Sequence, residues 1–346
     1  MPVARWMRRL AIAGVLVCFT VVVLGAYVRL SAAGLGCPDW PGCYGQLTPA
    51  GAAHDALAQA AYGARPLELG KAWREMLHRY AVGTLSLIVL AIVALALRAR
   101  RARLVSVPFA LALLATLVVQ ALLGRLTVTW QLNPLIVTAH LLLGLTTLGL
   151  LWWLMLSLPI GSTWGASARH GPGHSISGGG ALPYTSALRL ALLGLAALTV
   201  QIALGGWTST NYAAIACPDF PTCQGAWWPP TDFRHAFVLW HGLHVDYEGG
   251  VLGNAARVTI QLTHRAGALV AATALTLAAV FVLRRRGLTA ARGRAALVLA
   301  ALALQLLIGV SMVLKGFPLL LATAHTAGAA LVLLATLALV RSLSAR

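Results

Sequence analysis

The chain has 346 residues, 59% of them hydrophobic and only 10% charged, an apolar share well above that of a soluble domain. A water-soluble enzyme is excluded. The formal net charge of +18 does not indicate nucleic acid either, because the basic residues form short arginine groups between long apolar runs instead of a patch interleaved with aromatics.

A hydrocarbon core of about 30 Å needs about 20 apolar residues to cross it, and eight runs meet that length. They are predicted near 10–30, 76–97, 106–127, 134–157, 187–208, 261–283, 295–315 and 319–341. The runs are continuously apolar and rich in Leu and Ala, not alternating with period two, so a β-barrel is disfavoured. The first is longer than a signal-peptide core and lacks a convincing cleavage site, so it is read as retained. The expected fold is an all-α integral membrane protein of eight transmembrane helices in a lipid bilayer. Two long loops, about 31–75 and 209–260, lie on one side. On the other, Pro159 to Ser186 contains GPGHSISGGG and reads as a flexible linker between an N-terminal half, 1–158, and a C-terminal half, 187–346.

Short cytoplasmic loops collect Lys and Arg. Sixteen basic residues and no acid fall on the linker side, whereas all eight acids fall with the long loops. Both termini are therefore expected in the cytoplasm, with the long loops outside.

The halves repeat. GCPDWPGCYG at 36–45 answers ACPDFPTCQG at 216–225, LHRYAVG at 77–83 answers THRAGAL at 263–269, and VTAHLLLG at 137–144 answers ATAHTAGA at 322–329. The offsets are 180 from Cys37 to Cys217, 186 from His78 to His264 and 185 from His140 to His325. Four crossings per half bring both halves in from the same side, which predicts two tandem four-helix bundles related by a pseudo-twofold axis along the membrane normal.

One histidine in an apolar helix is often only a hydrogen-bonded core residue. Four at matched positions point to chemistry. His78 and His140 lie 62 residues apart and His264 and His325 lie 61 apart, so each pair sits at similar depth. Two imidazoles facing each other across a bundle can ligate a heme iron from both sides, in an interior that suits the apolar macrocycle. Arg79 and Arg265 follow the first histidine of each pair. They are candidate propionate contacts, or arginines snorkelling to the headgroups. Cys37 with Cys43 and Cys217 with Cys223 form two pairs on an oxidising side, as structural disulfides or as a redox-active couple. Cys18, in the first helix, reads as packing. His54, His235, His241 and His244 in the outer loops and His170 and His174 in the linker read as solvated.

The repeat breaks at Glu75, three residues before His78, whose counterpart at offset 186 is Gln261. A carboxylate beside a heme can accept a proton or stabilise a developing cation, and an amide cannot ionise. The first site therefore reads as catalytic and the second as an electron-transfer heme. The alternative is Glu75 as an interfacial charge paired with Arg74 or Arg79.

The duplicated CPDWPGC and CPDFPTC loops, EMLHR and QLTHR, the two TAH motifs and DYEGGVL at 246–252 together resemble the heme A synthase family over nearly the whole chain. That resemblance implies oxidation of a methyl group of heme O to the formyl group of heme A for cytochrome oxidase assembly, by successive water-derived hydroxylations, in the bacterial inner membrane. It implies that His78 and His140 hold the substrate heme, that His264 and His325 hold a heme B cofactor, and that Glu75 assists the chemistry. A heme O synthase is an expected partner, and the electron acceptor is not specified. Two rivals are a di-heme electron carrier of the quinol oxidoreductase type and an outer-face thiol oxidase. Asp246 and Glu248 of the DYEGG segment are expected to be solvated.

Overall fold

The computed structural model describes residues 2–63, 65–102, 105–158, 181–242 and 245–344. Among these are eight helices long and apolar enough to span a membrane: α1 (Pro2–Leu30), α4 (Leu69–Arg98), α5 (Val107–Thr129), α6 (Pro134–Ser157), α7 (Ala181–Thr210), α9 (Asn254–Arg284), α10 (Arg292–Leu314) and α11 (Leu319–Ser344). Short helices α2 (Pro49–Ala53) and α3 (Ala56–Ala61) lie in the first long loop and α8 (Phe233–Ala236) in the second. This is a multi-pass membrane protein, and apolar side chains such as Leu87, Leu193, Val270 and Leu307 stand exposed on its surface, as a lipid solvent requires.

Capping sets the helix starts. Ser106 accepts from the Phe109 N–H ahead of α5, and Asn133 accepts from Leu135 and Ile136 N–H with Pro134 in the first turn of α6. The four helices that run toward the long loops end alike. Ala33, Leu132, Ala213 and Phe317 each donate to a carbonyl five residues back, closing α1, α5, α7 and α10 through residues of positive φ at Ala32, Gln131, Tyr212 and Gly316. Only one of these is glycine, so the sequence offers little warning of the ends.

Four helices extend well beyond their apolar runs, among them α1, which begins at Pro2 ahead of the run near 10. α4 begins at Leu69 and α9 at Asn254, about two turns before the runs near 76 and 261, and α7 begins at Ala181, inside the stretch expected as linker. Hydropathy registers only the lipid-facing part of a helix, and hydrogen bonding continues it into the polar region. The rest of the linker, with His170 and His174, lies outside the described residues, as does His244.

α1 packs on α4 and α6, and α5 on α4 and α6. α7 packs on α9 and α11, and α10 on α9 and α11. These sets meet where α1 touches α11 and where α6 touches α7 and α11. One buried apolar cluster, including Met7, Ile92, Leu113, Leu148, Leu275 and Leu339, runs through all eight helices.

The second long loop crosses to the first. Tyr247 is 2% exposed and is buried with Leu35, Val128 and Leu132, and its N–H donates to Gln131 O. Asp246 and Glu248 pair with Arg65 at 3.1 and 3.2 Å, and Trp240 stacks edge-on against Trp130. The expectation that the DYEGG carboxylates are merely solvated is corrected, because a buried tyrosine between them carries both to one arginine. His241 is likewise half-buried against Tyr247, with a buried Nε2, whereas His54 and His235 are exposed.

Candidate functional site

Each cysteine pair closes a small hairpin. Cys37–Cys43 and Cys217–Cys223 are at disulfide-bonding distance, and isolated bridges join Cys43 to Gln46 and Cys223 to Ala226. The turns between them, Tyr44-Gly45 and Gln224-Gly225, have positive φ at both residues, the backbone of a type I′ turn that glycine at the second position allows. Asp39 accepts from the N–H groups of Tyr44 and Gly45, and Asp219 does the same for Gln224 and Gly225. The Thr222 hydroxyl, followed by those backbone donors, holds the Asp219 carboxyl below the usual aspartate value.

An arginine from the helix below clamps each hairpin. Arg79 donates to the carbonyls of Asp39, Pro41 and Gly42, and Arg265 donates to those of Cys217, Asp219, Pro221 and Thr222. The two candidate propionate contacts are thus turned onto loop carbonyls. The hairpins are held in the same way, but the helix residue four positions before each arginine differs. Glu75 is 5% exposed, accepts from the Cys37 N–H at 2.9 Å and pairs with Arg79. Gln261 is 4% exposed, and its Oε1 has no hydrogen-bond partner.

His78 lies nine residues into α4 and His264 ten into α9, while His140 and His325 each lie six residues into α6 and α11. His78 and His140 come within electrostatic reach of each other, as do His264 and His325. Each imidazole rests on a glycine of a neighbouring helix. A Cβ added at Gly25, Gly124, Gly205 or Gly309 would stand 2.9, 3.3, 3.1 or 2.9 Å from the Cε1 of His78, His140, His264 or His325, respectively. Sequence reasoning missed these glycines, although the signal was present: Gly25 and Gly205 are 180 apart and Gly124 and Gly309 are 185 apart, like the motifs around them.

Three glutamines accompany the histidines. Gln120 donates to the His140 carbonyl at 2.9 Å, the Gln201 amide lies 3.0 Å from His264 Nδ1, and the Gln305 amide lies 3.3 Å from both ring nitrogens of His325. The Nδ1 atoms of His78 and His140 are buried without a partner. A buried imidazole nitrogen without a partner carries a desolvation cost. Paired imidazoles at matched depth, each packed closely on a glycine and two with a buried, unpartnered ring nitrogen, fit the ligands of a metal macrocycle better than they fit a closed core. Cys18 is buried in α1, its Sγ 3.9 Å from Gly144 O, a packing role.

A helical multi-pass membrane protein with two histidine pairs, each beside a disulfide-closed hairpin clamped by arginine, is the class that these elements define. Residues 8–337 match the family model COX15-CtaA, described as cytochrome oxidase assembly protein, and the chain belongs to that family. It is 39% identical over 335 residues to the heme A synthase of Shewanella oneidensis, covering 95% of this chain and 93% of that protein. It is 26% identical over 222 residues to the heme A synthase of Exiguobacterium sibiricum, covering 63% of this chain and 65% of that one. Both the resemblance to heme A synthases and the heme-related family are thereby borne out.

Proposed function

We propose that this chain oxidises the C–H bonds of a methyl group on heme O to the formyl group of heme A, in two water-consuming steps. His78 and His140 hold the substrate heme and His264 and His325 hold a heme B, in two four-helix units. The single observation that carries this division is the difference between Glu75 and Gln261 within otherwise matched surroundings. A buried carboxylate held by an N–H and a guanidinium can take up and pass on a proton, and a buried amide cannot.

In the first step water supplies a hydroxyl to the methyl carbon, and two protons and two electrons leave. In the second, the hydroxymethyl carbon takes another hydroxyl, and the geminal diol loses water to give the aldehyde. Glu75 takes the proton from the attacking water or stabilises charge on the electron-deficient carbon. The Cys37 N–H and Arg79 hold its two oxygens in place, which positions it without solvent reorganisation. The histidine-glycine contacts fix ring orientation, and the Gln201 and Gln305 amides orient the second pair. A heme bound at the second pair would supply one-electron transfer toward an acceptor. The disulfides are read as staples: the arginine clamps hold the same hairpins from beneath, so each loop is built as a rigid cover. The long-loop face is read as the outer face of a bacterial inner membrane, with both termini in the cytoplasm, and a heme O synthase is a natural supplier of so apolar a substrate.

The test is to purify the full chain, supply heme O and extract the pigments. Heme A should appear, preceded by hydroxymethyl heme, together with heme B. Heme B alone, with heme O recovered unchanged, would favour the electron-carrier reading. Activity independent of heme but lost with the cysteines would favour the thiol oxidase.

A further inference from the structure

The reaction proposed above consumes water and releases protons at Glu75, which is 5% exposed. Some route must connect it to solvent. On the loop face a cavity of about 520 Å³ is walled by Arg65, Glu68, Lys71, Gln131, Asp246 and Glu248, with Gly36 in its lining. Its walls come from three segments: the first long loop with the start of α4, the end of α5, and the crossing segment of the second long loop.

The cavity shares the start of α4 and the Gly36 loop with Glu75. Glu68 stands at the N-cap of α4 and bonds Lys71. Lys71 and Glu75 are four residues apart, so they share one face of α4, and Lys71 is about 6 Å along the axis from Glu75. Gly36 presses on the α4 backbone between them, where a Cβ would stand 2.7 Å from the Lys71 carbonyl carbon and 2.9 Å from the Ala72 nitrogen. The next residue, Cys37, donates its N–H to Glu75. The Gly36-Cys37 stretch therefore borders the polar cavity with one residue and holds the carboxylate with the next.

The broken repeat extends to this wall. At the offset of 186 that relates Glu75 to Gln261, Glu68 corresponds to Asn254 and Lys71 to Arg257. Glu68 at the N-cap and Glu75 within α4 both become amides in the second half, while the cation between them stays a cation.

Resting on the proposed reaction, we infer that this cavity is the vestibule through which water reaches the Glu75 site and protons leave it, and that Glu68 is the carboxylate at its mouth that passes them to solvent. As the new C–O bond forms, the O–H bond of the attacking water breaks and its proton goes to the Glu75 carboxylate. From there it moves through water to Glu68 and out, while a heme held by His264 and His325 would take up the electrons. Glu68 is suited to exchange, since its side chain is 61% exposed and holds Lys71 at 2.8 Å. The other charged groups facing the cavity are Arg65, Asp246 and Glu248, which are already paired with one another. Glu68 touches no reacting atom and acts by positioning and relay. A purely structural role for it, as a negative charge at a helix N-terminus, would affect stability alone.

The test measures heme A formation from supplied heme O by full-length protein in membranes, as a function of pH. Glu68→Gln should keep its heme, turn over about tenfold more slowly, and regain rate when formate is added as a small proton carrier. Glu68→Asp should behave nearly as wild type. Turnover and pH profile unchanged in Glu68→Gln would overturn the inference, as would a loss that formate does not restore. Should Glu68→Gln not accumulate, Lys71→Gln decides. It keeps both carboxylates and removes the cation that holds Glu68 in place, and should slow turnover in a way that formate restores; unchanged turnover counts against the relay. A wild-type protein that forms no heme A from heme O would sink the reaction itself, a different result from an insensitive variant.

Discussion

The hairpin of residues 36–46 and the hairpin of residues 216–226 are built alike, from the disulfide and the aspartate-bridged turn down to the arginine clamp. Beneath them the two regions part. The first has Glu75 bound to the loop, and its His78 and His140 Nδ1 atoms are free of partners. The second has Gln261 and the Gln201 and Gln305 amides against its rings. Val21 stands where Gln201 would be expected in the first half at the offset of 180. The two halves keep the histidines, the hairpins and the arginine clamps in common and differ in the few side chains that can ionise or hydrogen-bond an imidazole. In the reading proposed here, the restrained site keeps its heme and the other turns its heme over.

The largest break in the comparison comes from the histidines. His264→Ala or His325→Ala should remove the low-spin bis-histidine spectrum of the second heme, whereas His78→Ala should leave that spectrum and abolish heme A formation. A fully normal cofactor spectrum in both second-site variants would contradict the assignment. Filling the glycine cradles should follow the same division with smaller effect. Gly205→Val should weaken heme retention at the second site by about 1–3 kcal/mol through crowding, and Gly25→Val should act on substrate instead, as read by pigment content against turnover.

The hairpins give a third prediction. Cys37→Ala opens a loop whose closure contributes about 2 kcal/mol by chain entropy. The free-thiol count under denaturing, non-reducing conditions should rise from one, Cys18, by one more for Cys43, while the second heme stays. A count that does not rise means no such bond. The crossing segment gives a fourth: Arg65→Ala removes two partly exposed ion pairs, worth about 1 kcal/mol together at most. It should speed hydrogen exchange around Tyr247 more than around the second hairpin.

The smallest effect is one of pH. The lowered Asp219 carboxyl contributes its full stabilisation above the ordinary aspartate range, about 4, and loses it only as pH falls through the lower folded value. Amide exchange across residues 217–226 should stay slow through mildly acid pH and rise below that range, and Asp219→Asn should flatten the response.

Much of this molecule was legible in its sequence. Length and apolarity alone locate eight spans, because lipid demands continuous hydrocarbon over a fixed thickness, and the matched offsets pick out four histidines and Glu75. Helix starts at Leu69, Ala181 and Asn254 were not legible, since polar ends carry no hydropathy signal. The crossing of Tyr247 into the first region was also hidden. It depends on a tertiary contact between Arg65 and two carboxylates some 180 residues away, which no local pattern records. The glycine cradles were visible in principle as repeats of single residues, but a glycine acquires meaning only when the ring that lies on it is known.

The difference between Glu75 and Gln261 is the centre of the account, and exchanging the two residues tests it most directly. Heme A formed per enzyme should be measured by pigment extraction from Glu75→Gln and from Gln261→Glu, each supplied with heme O. The first variant should retain its hemes and form heme A about a hundredfold more slowly or stop. It would accumulate hydroxymethyl heme if the second oxidation depends on the carboxylate, and unreacted heme O if the first does. The second variant should convert heme O at close to the normal rate. Near-normal heme A from Glu75→Gln would contradict the account and leave Glu75 as an interfacial charge that anchors a loop.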